Sequence, residues 1–152
     1  MGIWDWVLQA YGQPGVPQAC LTLQDDYGQN TSFLLWAVHA EARDPALLAR
    51  AAEAARAWEA TALGPLREVR RALKPSLPPF DDHGREALRE AVKGLELASE
   101  RFLMETLDGM ADSGGADRGG GAHALDALEA ASRAWGKPAP LETLAALAAA
   151  LT

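Results

Sequence analysis

Apolar residues recur along most of the chain at the three- and four-residue spacing of amphipathic helices. The pattern predicts a first helix over 3–11 and a second over 16–27, with Gly28 placed to end the second in a left-handed conformation. Asn30 is placed to cap a third helix over 31–42. The third helix is apolar almost all round, so we expect it at the centre of the protein.

A longer apolar stripe follows and crosses a Gly-Pro pair without losing its phase. A loop would have no reason to preserve that phase, so we predict one helix over 45–74, kinked where Pro65 cannot bond the carbonyl of Thr61. The alternative is two helices broken at Gly64. The stripe consists of Leu48, Ala51, Ala55, Trp58, Ala62, Leu66, Val69 and Leu73.

Residues 75–80 are rich in proline and predict an extended connection. A long helix is expected over 82–110, with one near-heptad stripe facing the core. Leu97 and Met104 lie on the opposite side, one heptad apart, and are predicted to be free to contact a partner. The core stripe consists of Leu88, Val92, Leu95, Ser99, Phe102, Thr106 and Met110.

Residues 112–121 (DSGGADRGGG) predict a flexible linker, and two alanine-rich helices are expected after it, over 122–134 and from 140 onward. The predicted fold is therefore all-α: a compact bundle of five or six helices over 1–111, with a flexibly tethered helical tail over 122–152. Short isolated helices are marginal in water, so the tail should dock, preferably on a second copy. Its predicted interface residues are Trp135, Leu144 and Leu151.

Composition and charge narrow the functional classes. Nearly half of the residues, 49%, are hydrophobic, and Ile3 is the sole isoleucine, which favours a packed helical protein. A net charge of −7 makes general nucleic-acid binding unfavourable. Cys20 is alone, the first residues carry no basic segment, and no apolar run is long enough for a membrane span. We therefore expect a cytoplasmic protein with no membrane association.

Several ordered blocks carry a resemblance to a known family. The first block comprises Tyr11-x-x-Pro14-Gly15-Val16, Cys20-Leu21-x-Leu23-Gln24-Asp25-x-Tyr27-Gly28-x-Asn30 and Leu34-Leu35-Trp36. Later blocks are Trp58, Pro65-Leu66-Arg67-x-x-Arg70-Arg71-x-Leu73-Lys74 and Lys93-x-x-Glu96-Leu97-x-x-Glu100-Arg101. Over about residues 3–110 the chain resembles a family of small bacterial proteins known only as a domain of unknown function. The resemblance implies an all-helical fold and a bacterial source, and it brings no activity or cofactor.

The most distinctive charged feature is a basic stripe, defined by Arg67, Arg70, Arg71 and Lys74, which share one helical face. Arginines suit bidentate recognition of carboxylate or phosphate, so the stripe could bind a small anion or a nucleotide. The favoured interpretation is internal pairing with acidic residues of the next helix, namely Glu86, Glu90 and Glu100. Gln24 and Asp25, at the turn before the third helix, could line a small polar pocket at that junction, but a structural role is the favoured interpretation.

The remaining chemical groups favour structural roles. Cys20 lies on an apolar stripe and reads as a small buried hydrophobe, and His39 as a core histidine. Asp81, Asp82 and Glu86 could offer metal ligands, but acidic residues there more often cap a helix. We therefore expect no metal, no cofactor and no catalytic residue. The leading hypothesis is a non-enzymatic interaction or adaptor module, self-associating as a homodimer or binding another protein; a small-anion or nucleotide binder is the alternative.

Overall fold

The computed structural model describes residues 1–113 and 124–152, and these parts of the chain contain helices and no strands. The all-α fold class is confirmed. In chain order the helices are α1 (Ile3–Tyr11), α2 (Val16–Tyr27), α3 (Thr31–His39), α4 (Pro45–Trp58), a π-helical turn (Glu59–Leu63), α5 (Gly64–Ala72), α6 (Asp82–Ser113), α7 (Ala124–Trp135) and α8 (Leu141–Leu151). None of the described helices is long and apolar enough to cross a bilayer.

The expected signals at the start of the third helix are confirmed. Gly28 follows α2 with a φ of 63°, and the Asn30 side chain accepts a hydrogen bond of 3.0 Å from the Phe33 backbone N–H. From Thr31 to Ala37 every residue of α3 is buried, so α3 is the central helix of the core. It ends at His39, three residues earlier than predicted, because the chain turns at Glu41, whose φ is 51°.

The helix through the Gly-Pro pair is continuous, as its phase predicted. α4 passes into α5 through the π turn, in which the Gly64 N–H donates to the carbonyl of Glu59, five residues earlier. A π turn accommodates the missing N–H of Pro65 without breaking the helix. The position also requires glycine, since a Cβ on Gly64 would lie 2.9 Å from the Glu59 carbonyl oxygen.

The predicted core face of α6 is wrong at its largest residues, although Ser99 is buried as expected. Leu88, Leu95 and Phe102 were expected in the core but are 61%, 57% and 56% exposed. Met104, expected on the outside, is completely buried, whereas Leu97 is 46% exposed. The buried apolar residues of α6 are Leu103, Met104, Leu107 and Ala111, at helical spacing on a different face.

The tail helices pack within the chain itself. α7 lies against α3 and α4, and α8 against α2 and α7. Of the three predicted interface residues, Leu144 is buried, while Trp135 and Leu151 are partly buried against the same core. Within one chain α7 and α8 supply a side of the core that 1–111 leaves open. Docking of the tail on a second copy stays a prediction. The predicted linker lies mostly outside the described residues.

Candidate functional site

A polar cleft lies beside the π turn, where α2, the start of α5 and the end of α4 meet. Its volume is about 610 Å³, within the range of ligand-binding pockets. Residues that line it include Gln24, Gly28, Arg56, Glu59, Ala60 and Arg67. The structure thus brings together Gln24 and Arg67, two of the residues predicted for ligand binding.

The other members of the basic stripe are engaged or lie apart. Arg70 Nε is 2.5 Å from Glu96 Oε1, and an Arg71 guanidinium nitrogen is 3.8 Å from Asp25 Oδ1. Lys74 is exposed and makes no ion pair within the described part of the chain. Internal pairing is therefore present, although Glu96 and Asp25 replace most of the predicted partners.

Two of the predicted partners, Glu86 and Glu90, form ion pairs with basic residues of their own helix instead. Glu86 pairs with Arg85 and Arg89, and Glu90 pairs with Lys93, all within α6. Pairs three or four residues apart on one helix form at little conformational cost. Arg67 is the one arginine of the stripe without an ion pair among the described residues. Its positive charge lowers the pKa values of Glu59 and Glu100.

Burial raises the pKa values of the acidic groups around Arg67. It raises the pKa of Glu59, and the positive charge of Arg67 partly offsets this. Burial also raises the pKa of Glu100 to about 7, with a further contribution from the neighbouring carboxylate of Glu96, against the opposing charges of Arg67 and Arg70.

The π turn places a backbone acceptor at the edge of the cleft. In an α-helical register the Ala60 carbonyl would accept from residue 64, and in a π register from residue 65. The Gly64 N–H bonds Glu59 instead, and Pro65 has no N–H. The Ala60 carbonyl is therefore left without either helical donor, and Ala60 lines the cleft.

The tail contacts two residues that line the same cleft, Gly28 and Arg56. An Arg56 guanidinium nitrogen donates to the carbonyls of Ala134 and Trp135, and the guanidinium lies 5.2 Å from the centre of the Trp135 ring. The Trp135 indole N–H donates to the Gly28 carbonyl at 2.9 Å. These contacts fix Arg56 and Gly28, so one wall of the cleft depends on α7.

Beneath that wall lies a buried hydrogen-bond network. The Gln29 side chain donates to the Lys137 carbonyl at 2.9 Å and accepts from the Ser132 hydroxyl at 3.0 Å. The Ser132 oxygen in turn accepts from the Ala139 N–H at 2.8 Å. The sequence analysis did not single out Gln29 or Ser132, because a polar residue in a loop or in an alanine-rich helix carries no local sign of burial.

Cys20 and His39, the cysteine and the histidine for which the sequence predicts structural roles, both lie among other side chains. Cys20 is buried, as expected for a small hydrophobe, and burial together with the charge of Glu100 raises its thiol pKa to about 12. His39 lies beside the Trp6 ring, with Nδ1 3.5 Å from Asp108 Oδ1.

The acidic residues at the start of α6 act as a cap. The Asp81 carboxylate accepts from the Gly84 N–H at 2.8 Å, which supports the capping interpretation. Within the described ranges no group of three or more acidic, histidine or cysteine side chains is arranged to hold a metal ion.

A second surface lies on the hairpin that α5 and the first half of α6 form. Its interior is charged: the side chains of Arg85, Arg89 and Glu96 are only 10%, 16% and 13% exposed. Its exterior carries an uncharged row, which we call the heptad face, with alternating steps of four and three residues. All six members are exposed: Gly84, Leu88, Ala91, Leu95, Ala98 and Phe102.

Apolar grooves flank both ends of the heptad face. At the hairpin tip a groove of about 410 Å³ places Leu88 beside Leu73, Leu77 and Phe80. At the other end a groove of about 290 Å³ places Phe102 beside Trp58, with their ring centres 4.9 Å apart. The hairpin therefore has charged residues inside and apolar residues outside, the reverse of an isolated soluble hairpin.

The fold and these surfaces define an all-helical protein with a polar cleft and an exposed apolar helix face. The chain belongs to the family described as Protein of unknown function (DUF2390), which matches residues 2–107. This confirms the resemblance seen in the sequence blocks; α7 and α8 lie beyond the matched range. No curated protein and no solved structure matches the chain.

Proposed function

We propose that the protein is a non-enzymatic interaction module that self-associates through the heptad face of α6. The observation that supports this most is the exposure of Leu88, Leu95 and Phe102 on one helix face whose opposite side is charged and half-buried. Soluble proteins seldom expose a contiguous apolar surface of this kind unless a partner covers it.

The sequence of the heptad face favours a second copy of the chain as that partner. When two α6 helices run antiparallel about a two-fold axis between residues 91 and 95, each large side chain meets a small one. Leu88 then faces Ala98 of the partner, Leu95 faces Ala91, and Phe102 faces Gly84. Such alternation lets two helices approach closely and fill the space between them.

Charge also favours pairing at this surface. The whole chain carries −7, so most contacts between two copies would be repulsive. Residues 64–98 carry seven basic and six acidic residues, and the heptad face itself carries no charge. The hairpin is thus a nearly neutral part of the chain, which two copies can bring together without strong repulsion.

The experiment is sedimentation velocity over a concentration series. We expect the wild type to dimerise and the Leu95→Glu variant to dissociate at least about a hundredfold more readily, because two leucines per dimer lose their apolar burial. Leu97→Glu is the matched control: Leu97 is exposed on the same helix but off the heptad face, and that variant should dimerise like the wild type.

The register has its own test. A variant with Ala91→Cys and Leu95→Cys should form an intermolecular disulfide on mild oxidation, whereas Leu97→Cys alone should not. A wild type that stays monomeric at high micromolar concentration overturns the proposal, and so does equal loss of dimer in the Leu95 and Leu97 variants.

The small-anion or nucleotide alternative stays a prediction. Of the basic stripe, Arg67 is the member that lines the cleft, and Glu59 and Glu68 line it too. Two carboxylates beside one available arginine make the cleft unfavourable for a polyanion. The cytoplasmic location likewise stays a prediction from the sequence.

A further inference from the structure

The polar cleft contains three half-buried side chains that lack a hydrogen bond or ion pair to any described residue: Gln24, Glu59 and Arg67. They come from α2, from the π turn and from α5, so their convergence is a product of the tertiary fold. Partly buried polar groups without protein partners are available to a ligand and gain energy when it satisfies them.

The backbone supplies a fourth group. The Ala60 carbonyl, left without a helical donor by Gly64 and Pro65, lies in the same lining as the Glu59 side chain. The Glu59 carboxylate and the Ala60 carbonyl come from consecutive residues of the lining, and both accept hydrogen bonds. This pair suits a cationic N–H donor such as an ammonium group.

Positively charged groups also line the same cleft. Arg67 interacts electrostatically with Glu59, and its planar guanidinium suits a carboxylate. Arg56 adds a second positive charge, but the carbonyls of Ala134 and Trp135 hold it in place. The cleft therefore contains both hydrogen-bond acceptors and cationic donors, and the Gln24 amide can serve as either.

We infer that this cleft binds a small zwitterion, a free α-amino acid or a short peptide. Its ammonium group would bond the Glu59 carboxylate and the Ala60 carbonyl, and its carboxylate would bond Arg67. The volume of about 610 Å³ leaves room for a side chain or a second residue beyond the backbone groups. The inference is independent of self-association, because the heptad face and the cleft share no residue.

The experiment uses the full chain and the twenty free amino acids, each at millimolar concentration, with glycylglycine and alanylalanine as peptide probes. Thermal unfolding identifies any probe that raises the melting temperature, and isothermal titration measures its affinity. We expect at least one amino acid or dipeptide to stabilise the wild type. The Arg67→Gln and Glu59→Gln variants should each weaken its binding at least about tenfold, the value of one charge-assisted hydrogen bond.

Arg43→Gln is the control, because Arg43 pairs with Asp126 away from the cleft and its loss should leave binding unchanged. N-acetylated and amidated forms of the best probe each lack one charge and should both bind more weakly. Absence of binding for every probe to the wild type overturns the inference. Stabilisation by inorganic phosphate or ATP alone, strengthened by Glu59→Gln, overturns it in favour of an anion site.

Discussion

At the scale of single residues, Glu100 is a carboxyl group in an unusually buried environment. It belongs to α6 and interacts electrostatically with Tyr11 and Cys20 and with the arginines Arg67 and Arg70. Burial dominates, and its pKa rises from an ordinary value of 4.5 to about 7. The folded chain therefore binds this proton more tightly than the unfolded chain does.

This difference predicts how stability depends on pH. Because the pKa is raised on folding, the stabilising contribution of the proton is complete below about 4.5 and is lost as the pH rises through about 7. Relative to Glu100→Gln, which keeps a neutral side chain, the wild type should lose about 1–3 kcal/mol of unfolding free energy between about pH 5 and about pH 8. Urea unfolding at a series of pH values measures this.

Glu105→Gln serves as the control, since Glu105 is exposed on the same helix and pairs with Arg101. That variant should follow the wild-type pH dependence. Parallel curves for the wild type and Glu100→Gln would contradict the raised pKa. Sequence alone did not predict the environment of Glu100, because it depends on which face of α6 is turned inward.

At the scale of elements, the local sequence signals predicted the helix ends and the continuous helix through Pro65, whereas the buried face of α6 was predicted wrongly. The cap at Asn30, the stop at Gly28 and the phase through Pro65 each depend on residues a few positions apart, and all are present in the structure. The face of α6 is decided by what packs on it. Its apolar row Leu88, Leu95 and Phe102 satisfied the heptad rule, yet half-buried salt bridges such as Arg70–Glu96 occupy the inner face.

The π turn yields a prediction at this scale. Pro65→Ala should keep the fold and preserve or raise the melting temperature, because it restores an N–H near the free Ala60 carbonyl and removes a proline from a helix interior. Gly64→Ala, one position earlier, should cost about 1–3 kcal/mol, since its Cβ would meet the Glu59 carbonyl oxygen. Circular dichroism melting of both variants measures the contrast. A large loss of helicity in Pro65→Ala would show that the proline itself fixes the turn.

At the scale of the whole molecule, the question is whether α7 and α8 unfold with the rest of the chain. The glycine-rich segment 112–121 predicted a separate tail, a reasonable reading of composition. The packing of α7 and α8 on the rest of the chain could not be predicted from composition. An apolar helix stripe shows that a helix packs on a partner, but it does not identify the partner. In the structure these stripes complete the core around α3, and the Gln29–Ser132 network ties α7 to the turn before α3.

Two buried serines provide the test of a single cooperative unit. Ser132 is fully buried with two hydrogen bonds, whereas the Ser99 hydroxyl is buried without a partner in the described structure. Ser132→Ala leaves the Ala139 N–H unsatisfied and should cost about 1–3 kcal/mol, while Ser99→Ala should be neutral or stabilising. Because α7 completes the core, the loss in Ser132→Ala should shift the whole urea transition, followed by circular dichroism and tryptophan fluorescence together. If the tail were instead a separate domain, Ser132→Ala would leave the main unfolding transition in place and add a second transition at lower urea concentration. That outcome would support the organisation predicted from the linker, a bundle over 1–111 with a separately folded tail.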